Sequence, residues 1–343
     1  MAMADEIESE VLETVGTVPE CEGDPPFDPY LQRAEMPFSA THYPLGFPVQ
    51  IAANSMKVLA AARESWQGYR QRFETAPIYF QVGVRDTGSS TCPGAVTPRA
   101  HRHLMTGTAD ADNFFVADLL QGVSFAWVTT AAVEHPWYLR QNILEPAVLS
   151  HIANRHAAPI HAACVAYQGR GVLLCGESGA GKSTLAFACA RAGWTYINDD
   201  ATFLVHGRSD RQVIGHHHSV RLRPAAAELF TEIRDRPVTH RMRSKPSIEI
   251  PTSELAGIRT AAHCEADFVV FLDRGGDGAQ ELVPYPCEKA RHFMRHHLNG
   301  WEPLRNKQLA TVERLLSAQV YELRYRDLDF AIDRLQRMVQ EAG

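Results

Sequence analysis

Nine consecutive residues, Gly176 to Thr184 (GESGAGKST), constrain this chain more than any other feature. They fit the pattern G-x-x-x-x-G-K-[ST] at every fixed position. A short apolar segment, 171–175, precedes them and a helical pattern, 185–191, follows, which gives the order strand, loop, helix. Such a loop wraps backbone N–H groups around phosphates. The sequence therefore predicts a nucleoside triphosphate site, and the alternative is a glycine-rich turn that binds a simple anion or nothing.

Each residue type in this loop has a separate expected task. The glycines allow positive φ angles and a close approach of the backbone to the ligand. The ammonium of Lys182 can reach the β- and γ-phosphates, and the hydroxyl of Ser183 can ligate Mg²⁺. The predicted nucleotide-binding residues are Gly176, Ser178, Gly179, Ala180, Gly181, Lys182, Ser183 and Thr184.

Two adjacent carboxylates, Asp199 and Asp200, follow the loop after one predicted helix and one predicted strand. This short separation is expected to bring them beside the phosphate loop. One carboxylate can hold Mg²⁺, directly or through water, and the other can accept a proton from an attacking hydroxyl. The alternative is an Asp pair that only caps a turn.

The composition is that of an ordinary soluble protein, with 343 residues, 45% hydrophobic and 22% charged. We find no apolar run of membrane-spanning length and no secretory signal. Seven cysteines occur without a C-x-x-C pair, which favours reduced thiols and a cytoplasmic location. The sequence has no basic stripe with interleaved aromatic residues, so we expect neither nucleic acid nor membrane as a partner.

We predict three regions along the chain. Residues 1–30 contain nine acidic residues and no Lys or Arg, and they are expected to form a disordered acidic tail. Residues 31–157 are expected to form an α+β accessory domain for substrate binding or assembly. Residues 158–343 are expected to form the nucleotide-binding domain. Within the accessory domain, the patterns predict a helix in 48–66, strands at 77–84 and 122–130, a loop over 85–100, and a helix over 136–156 that is kinked at Pro146.

A hairpin is predicted immediately before the phosphate loop. Strands at 160–167 and 171–175 are separated only by the turn Gln168-Gly169-Arg170. Doubly wound nucleotide-binding folds usually place a lone parallel strand before such a loop. The predicted fold class is therefore α/β with a mixed sheet. Further strands are predicted at 194–198, 201–205, 212–223 and 268–272, and helices at 286–298, 304–318 and 327–341.

The stretch from His161 to Asp200 resembles the catalytic core of bacterial HPr kinase/phosphorylase. The shared features are a histidine in the hairpin strand, the phosphate loop, a helix ending in Arg-x-Gly, and the Asp pair. The resemblance implies a fold shared with phosphoenolpyruvate carboxykinase. It also implies transfer of a phosphoryl group from a nucleotide to a serine-type hydroxyl, and the sequence leaves the choice between ATP and GTP open.

The same resemblance assigns roles to residues. Asp199 would be the general base, Asp200 would support the base or, with Ser183, the metal, and His161 would lie near the phosphates. The alternative for His161 is a structural histidine in the core. Related kinases are often oligomers, so a homo-oligomer is expected by analogy.

The chain also departs from that family. Thr184 stands where the family usually has Glu, and the later Glu-x-Arg-Gly-Leu-Gly run has no counterpart after Asp200. The chain is therefore more similar to the HPr-kinase-related small kinases. Their acceptors include free serine or a peptide serine in some branches.

Three further cations are candidates for substrate binding. The chain has five Lys against 29 Arg, so a lysine can mark a position where a point charge is required. This reasoning selects Lys245, for which a solvated surface lysine is the alternative. Arg221 and Arg223 alternate on a predicted strand and could face the site. The run His216-His217-His218 is expected to alternate on a strand, which disfavours a metal site.

The function expected from the sequence is that of an ATP-dependent kinase acting on a serine, peptide or small-molecule hydroxyl. Two alternatives remain open at this point. One is a non-catalytic nucleotide-binding regulatory protein, and the other is a simple ATPase.

Overall fold

Two large β-sheets organise the protein in the computed structural model, which describes residues 34–239, 245–275, 278–296, 298 and 302–342. The predicted acidic tail, 1–30, lies outside the described residues. Residues 35–343 cluster as one compact unit. The sequence-based boundary near residue 158 stays a prediction.

The strands, numbered in chain order, have the following bounds. They are β1 Phe38–His42, β2 Val49–Ala53, β3 Ile78–Arg85, β4 Thr97–His101, β5 Leu104–Thr108, β6 Phe114–Asp118, β7 Val123–Thr129, β8 Ala157–Ile160, β9 Ala162–Tyr167, β10 Arg170–Cys175, β11 Thr195–Asn198, β12 Thr202–Val205, β13 Gln212–Ile214, β14 Ser219–Leu222, β15 Val238–Thr239, β16 Ser247–Pro251, β17 Arg259–Thr260, β18 His263–Arg274, β19 Glu281–Pro284 and β20 Gln319–Tyr325.

The α-helices are numbered in the same way. They are α1 Met56–Trp66, α2 Thr130–Val133, α3 Pro136–Leu139, α4 Glu145–Arg155, α5 Lys182–Arg191, α6 Cys287–His296, α7 Glu302–Leu315 and α8 Leu328–Glu341. Short 3₁₀ turns occur at Pro44–Gly46, Pro224–Glu228, Thr231–Ile233 and Thr252–Glu254.

The first sheet has seven strands in the order β1-β2-β3-β7-β6-β5-β4. The prediction of a helix in 48–66 is half correct. Residues 49–53 form β2, paired with β1 and β3, and the helix α1 begins only at Met56. Its N-cap is Ser55, whose hydroxyl accepts a bond from the Lys57 backbone N–H. Sheet pairing on both sides outweighs the helix propensity of the alanines in β2.

Helical structure also fills most of 136–156, as predicted, but the irregularity lies earlier than Pro146. A widened π-type turn, Arg140–Leu144, joins α3 to α4. Pro146 itself lies in the first turn of α4, where a missing N–H costs little. This widened turn places Arg140 and Glu145 near the end of α1. The predicted loop over 85–100 is shorter than expected, because β4 starts at Thr97.

The second sheet has ten strands and is mixed, which confirms the predicted α/β class with a mixed sheet. The predicted hairpin is present as β9 and β10, and both Gln168 and Gly169 have positive φ at its turn. β10 then pairs in parallel with β18, and β18 in parallel with β20. The carboxyl ends of β10, β18 and β20 therefore meet at one edge, where the phosphate loop begins.

Side chains of β10 alternate between two cores. Val172 and Leu174 face a cluster that includes α5 and α8, whereas Leu173 and Cys175 face one that includes α6 and α7. Helices thus cover both faces of the strand that leads into the phosphate loop. The core around the first sheet also takes in four residues of the second sheet, namely Ala157, Phe203, Val205 and Ile214. In the described part of the chain, no helix combines the length and the apolar character needed to cross a bilayer.

Candidate functional site

The phosphate loop runs from the end of β10 into α5. Gly176, Gly179 and Gly181 have φ values of 147°, 96° and 95°. At Gly181 the positive φ and a close neighbour both require glycine, because a Cβ there would lie 2.6 Å from the Tyr325 hydroxyl. The loop therefore has the left-handed, glycine-dependent backbone that a phosphate cradle needs.

Lys182 is folded over this loop. Its Nζ donates to the carbonyls of Gly176 at 2.6 Å and Glu177 at 3.1 Å. Burial lowers its pKa, while the charges of Cys175, Asp200 and Glu177 act in the opposite direction. The residue is only 7% exposed. The ammonium is thus held against the loop by two backbone carbonyls.

The acidic turn, by which we mean Asp199 and Asp200, contacts the start of α5. Ser183 donates its hydroxyl to the backbone carbonyl of Asp199 at 3.1 Å. The contact follows from the topology, because β11 ends at Asn198, beside the hairpin strand β9, and the turn lies directly after it. The structure therefore brings the predicted metal-binding serine and the predicted Asp pair together.

Asp199 is a buried carboxylate with two donors. Its Oδ1 accepts from the Tyr196 hydroxyl at 2.8 Å, and its Oδ2 accepts from the Arg221 backbone N–H at 3.1 Å. Burial raises the pKa of Asp199 to about 6, against the lowering effect of the Tyr196 hydrogen bond and of Arg221. The nearby charge of Asp200 raises it further. A carboxyl with this pKa changes protonation state close to neutral pH.

Asp200 is much more accessible than its neighbour, with 56% of its side chain exposed. Its Oδ1 lies 3.4 Å from Nδ1 of His161, which stands between β8 and β9. The imidazole is itself 38% exposed, so it is not enclosed in the core. The structure therefore joins His161 to the acidic turn through Asp200.

The three predicted substrate-binding cations are placed differently. Arg221 lies 3.2 Å from Glu249, its register partner on β16. Lys245 is exposed, and its Nζ is 3.5 Å from the Ser178 hydroxyl at the rim of the phosphate loop. Arg223 is exposed at the N-cap of the turn Pro224–Glu228 and is not among the residues of the cavity described next.

A cavity of about 770 Å³, which we call the main cavity, opens on the acidic turn. One wall is formed by the acidic turn and by β14 and β16. A second part of the lining, which we call the far wall, comes from the end of α1, the widened turn and the start of α4. Residues on these walls that sequence reasoning missed are Glu64, Ser65, Tyr69, Arg140, Glu145 and Glu249. They are distant in sequence and form no local pattern.

A polar network joins α1 to α4 on the far wall. Arg140 donates to Glu64 at 2.9 Å and to the Ser65 hydroxyl at 3.0 Å. The Ser65 hydroxyl donates in turn to Glu145 at 2.7 Å, and Arg140 lies 3.7 Å from the same carboxylate. One guanidinium is therefore shared by two carboxylates.

The three histidines at 216–218 do not alternate on a strand, so this detail of the prediction was wrong. They lie between β13 and β14, and their rings gather around Tyr69 at centroid distances of 6.0, 5.5 and 4.5 Å. Tyr69 Oη is 2.7 Å from His216 Nδ1. Within the described ranges no group of His, Cys, Asp and Glu has the arrangement of a metal site.

This site and fold together define a mixed α/β protein with a glycine-rich loop beside an acidic turn. A family model described as the SynChlorMet cassette protein ScmC matches residues 134–235. A search of curated proteins gives no match. Among solved structures, the chain shows weak similarity to the Hpr(Ser) kinase/phosphatase from Coxiella burnetii, with 15% identity and a TM-score of 0.31. That alignment covers 53% of this chain and 98% of the other.

Proposed function

We propose that this protein is a kinase that transfers the γ-phosphoryl group of ATP to the hydroxyl of a serine-type or small-molecule acceptor. The observation that carries the proposal is the contact between Ser183 and the backbone of Asp199. This contact holds the phosphate loop directly beside the two carboxylates. Both carboxylates line the main cavity, through which an acceptor would reach them.

The expected division of labour follows from the contacts. Lys182 would exchange its carbonyl partners for the β- and γ-phosphate oxygens. The Ser183 hydroxyl and the Asp200 carboxylate are both oxygen ligands of the kind that Mg²⁺ prefers. The bound ion would neutralise charge on the phosphates and hold them in position.

Asp199 is the proposed general base. Each of its oxygens accepts one hydrogen bond, so each retains a lone pair for a further donor. The acceptor hydroxyl would give its proton to this carboxylate as its oxygen bonds to the γ-phosphorus. The bond between that phosphorus and the β–γ bridging oxygen breaks, ADP leaves, and the proton later passes to solvent.

The finer fold assignment is also a proposal. We infer a phosphoenolpyruvate-carboxykinase-like nucleotide domain over 158–343 and an accessory α+β domain over 31–157. The hairpin β9–β10 ahead of the phosphate loop and the mixed sheet support this assignment. The cavity wall built by α1 and α4 supports a substrate-binding role for the accessory part. Assembly into a homo-oligomer is proposed by analogy with related kinases.

The test uses ATP labelled at the γ-phosphate, with the wild-type protein and with Asp199→Asn. Label on an acceptor indicates a kinase, free phosphate alone indicates an ATPase, and neither indicates a nucleotide sensor. We expect Asp199→Asn to bind Mg·ATP nearly as the wild type does and to lose about 10²–10⁴-fold in transfer rate. Unchanged transfer would remove Asp199 from the role of base. A lack of calorimetric heat with Mg·ATP in the wild type would overturn the proposal as a whole.

A further inference from the structure

The main cavity gives an acceptor its route to Asp199. This carboxylate is only 7% exposed, and it lines the cavity together with Asp200. A volume of about 770 Å³ lies within the range of small-molecule sites. A compound whose hydroxyl reaches Asp199 would occupy the same cavity that Ser65, Arg140 and Glu145 line.

The charges on the cavity walls are unbalanced. Among the residues that the structure describes, the cavity lining contains five carboxylates and two guanidiniums, and these residues are Glu64, Glu145, Asp199, Asp200, Glu249, Arg140 and Arg221. The two histidines that line it, His216 and His218, are neutral at physiological pH because burial lowers the pKa of each to about 4. The cavity therefore presents an excess of negative charge.

Both guanidiniums already have carboxylate partners. Arg221 lies against Glu249, and Arg140 is shared by Glu64 and Glu145. Part of the positive charge of each arginine is therefore already compensated by a neighbouring carboxylate. On the far wall, two carboxylates face one guanidinium, and the Glu145 carboxylate is only 26% exposed. The surplus charge on this wall favours a cation.

We propose that the main cavity is the acceptor site and that the acceptor is a hydroxyl compound carrying a cationic amine, which pairs with Glu145 and Glu64. This inference rests on the proposed function, because it places the acceptor hydroxyl at Asp199. The amine belongs either to a small amino alcohol or to the free amino terminus of a peptide that begins with serine. The chemistry recognised at the wall is the same in both cases.

Three probes with the same hydroxyl separate charge from shape. They are serinamide, which is cationic, N-acetylserinamide, which is neutral, and N-acetylserine, which is anionic. Affinity is measured by calorimetry on the full chain with Mg²⁺ and a non-hydrolysable ATP analogue present. We expect serinamide to bind about three- to tenfold more tightly than the neutral probe, as one partly exposed ion pair allows, and the anionic probe to bind most weakly.

A serine-initiated tripeptide amide distinguishes the two sources of the amine. Binding at least as tight as that of serinamide assigns the site to a peptide terminus, and much weaker binding assigns it to a small amino alcohol. Either result is compatible with the proposal. Failure of all four probes to bind would overturn the proposal. So would binding of the anionic N-acetylserine that equals or exceeds that of serinamide.

Glu145→Gln tests the wall directly. We expect the ratio between the affinities for serinamide and N-acetylserinamide to fall toward one, and Mg·ATP affinity to stay at the wild-type value. Glu288→Gln, at an exposed carboxylate on α6 that pairs with Arg291, is the matched control. If Glu145→Gln does not fold, Glu64→Gln on the same wall gives the same reading. A wild-type ratio in both cavity variants would contradict the proposal.

The transfer assay distinguishes failure of the proposed kinase function from failure of the proposed cationic acceptor. Phosphorylation of N-acetylserine in preference to serinamide would leave the kinase function standing and reject the cationic acceptor. Serinamide binding with the expected preference, but with no transfer from ATP to any probe, would leave the ligand class standing and reject the kinase.

Discussion

The phosphate loop and the main cavity meet at the acidic turn, but they are built in opposite ways. The loop is one contiguous segment, and its key groups are backbone amides, backbone carbonyls and one lysine. The cavity is assembled from side chains of segments around 64–69, 140–149, 198–203, 216–221 and 249–253. Backbone contacts thus define the nucleotide side, whereas side chains from distant parts of the chain define the other side.

This difference indicates how the two halves of the site respond to change. The loop depends on glycine conformations that few substitutions preserve, so we expect its proposed phosphate ligand to tolerate little change in this segment. The cavity walls depend on replaceable side chains, so their charge and shape can change without changing the fold. We therefore expect variants that damage one side to leave ligand binding on the other side largely intact.

Among the variants on the nucleotide side, Lys182→Ala is expected to have the largest effect. Removing the ammonium from the loop takes away the cation closest to the transferred phosphate, which should lower phosphoryl transfer by about 10³-fold. Mg·ATP affinity should also fall, whereas serinamide affinity without nucleotide should persist. Calorimetry with each ligand separately measures both quantities. Loss of serinamide binding in this variant would show that the two sides are not independent.

The charge-removal control for this variant is Lys57→Ala. Lys57 is a residue of α1, and its ammonium pairs with Glu134 at the end of α2. This variant should transfer phosphate at the wild-type rate.

A pH profile tests whether Asp199 links the two sides as the base. Its pKa is raised to about 6, and a base must be ionised to act, so kcat/KM should fall as pH drops through about 6. Tyr196→Phe removes a hydrogen bond that favours the charged form of Asp199. The pH at which kcat/KM falls on the acid side of the profile, its acid limb, should therefore rise by about one pH unit. Asp200→Asn removes a neighbouring negative charge, so the limb should move downward by roughly half a unit.

The opposite signs of these two shifts are the informative outcome. A limb that stays in place in Tyr196→Phe but disappears in Asp200→Asn would transfer the role of base to Asp200, which is paired with His161. The residual rate of Asp200→Asn need not be high for this measurement, because only its pH dependence is compared.

Sequence reasoning was sufficient for the contiguous features. The turn Gln168-Gly169, the apolar run of β10 and the helix after Lys182 are all local signals, and each element forms as predicted. The strand at 49–53 was missed because its alanines favour a helix in isolation, while pairing with β1 and β3 decides its structure. Ser55 as an N-cap was the local signal that could have separated strand from helix.

The main cavity could not be predicted in this way. Glu64, Arg140 and Glu145 lie in a region where the sequence shows no catalytic pattern. Only the packing of α1 against α3 and the widened turn before α4 brings these residues to one wall. The histidines at 216–218 show the same limitation, because Tyr69, which gathers their rings, is far away in sequence.

Gly68→Ala should damage the cavity side alone. A Cβ at residue 68 would lie 2.1 Å from Cε1 of His218, so the imidazole must move. The ring is the end of a flexible side chain, so we expect a small stability cost of about 1 kcal/mol. The displaced imidazole should raise the KM for the acceptor about three- to tenfold, since a shift of this size misplaces a bound substrate. Mg·ATP affinity should not change.

Gly94→Ala is the matched control, because a Cβ there meets nothing within 4 Å. It should leave both affinities and the thermal midpoint at wild-type values. If Gly68→Ala weakened the binding of Mg·ATP as much as that of the acceptor, His218 would support the phosphate loop as well as the cavity.

The smallest effect is expected for Lys245→Ala, at the rim of the nucleotide side. The Lys245 ammonium is exposed and only 3.5 Å from the Ser178 hydroxyl, so solvent and salt screen its attraction for phosphate. Its loss should weaken Mg·ATP by about two- to threefold at low salt, a difference that disappears at high ionic strength. Lys289→Ala, at an exposed lysine on α6, should show no such loss. A loss above tenfold that persists in salt would mean that Lys245 closes over the bound phosphates, and the nucleotide side would then depend on a distant side chain as the cavity does.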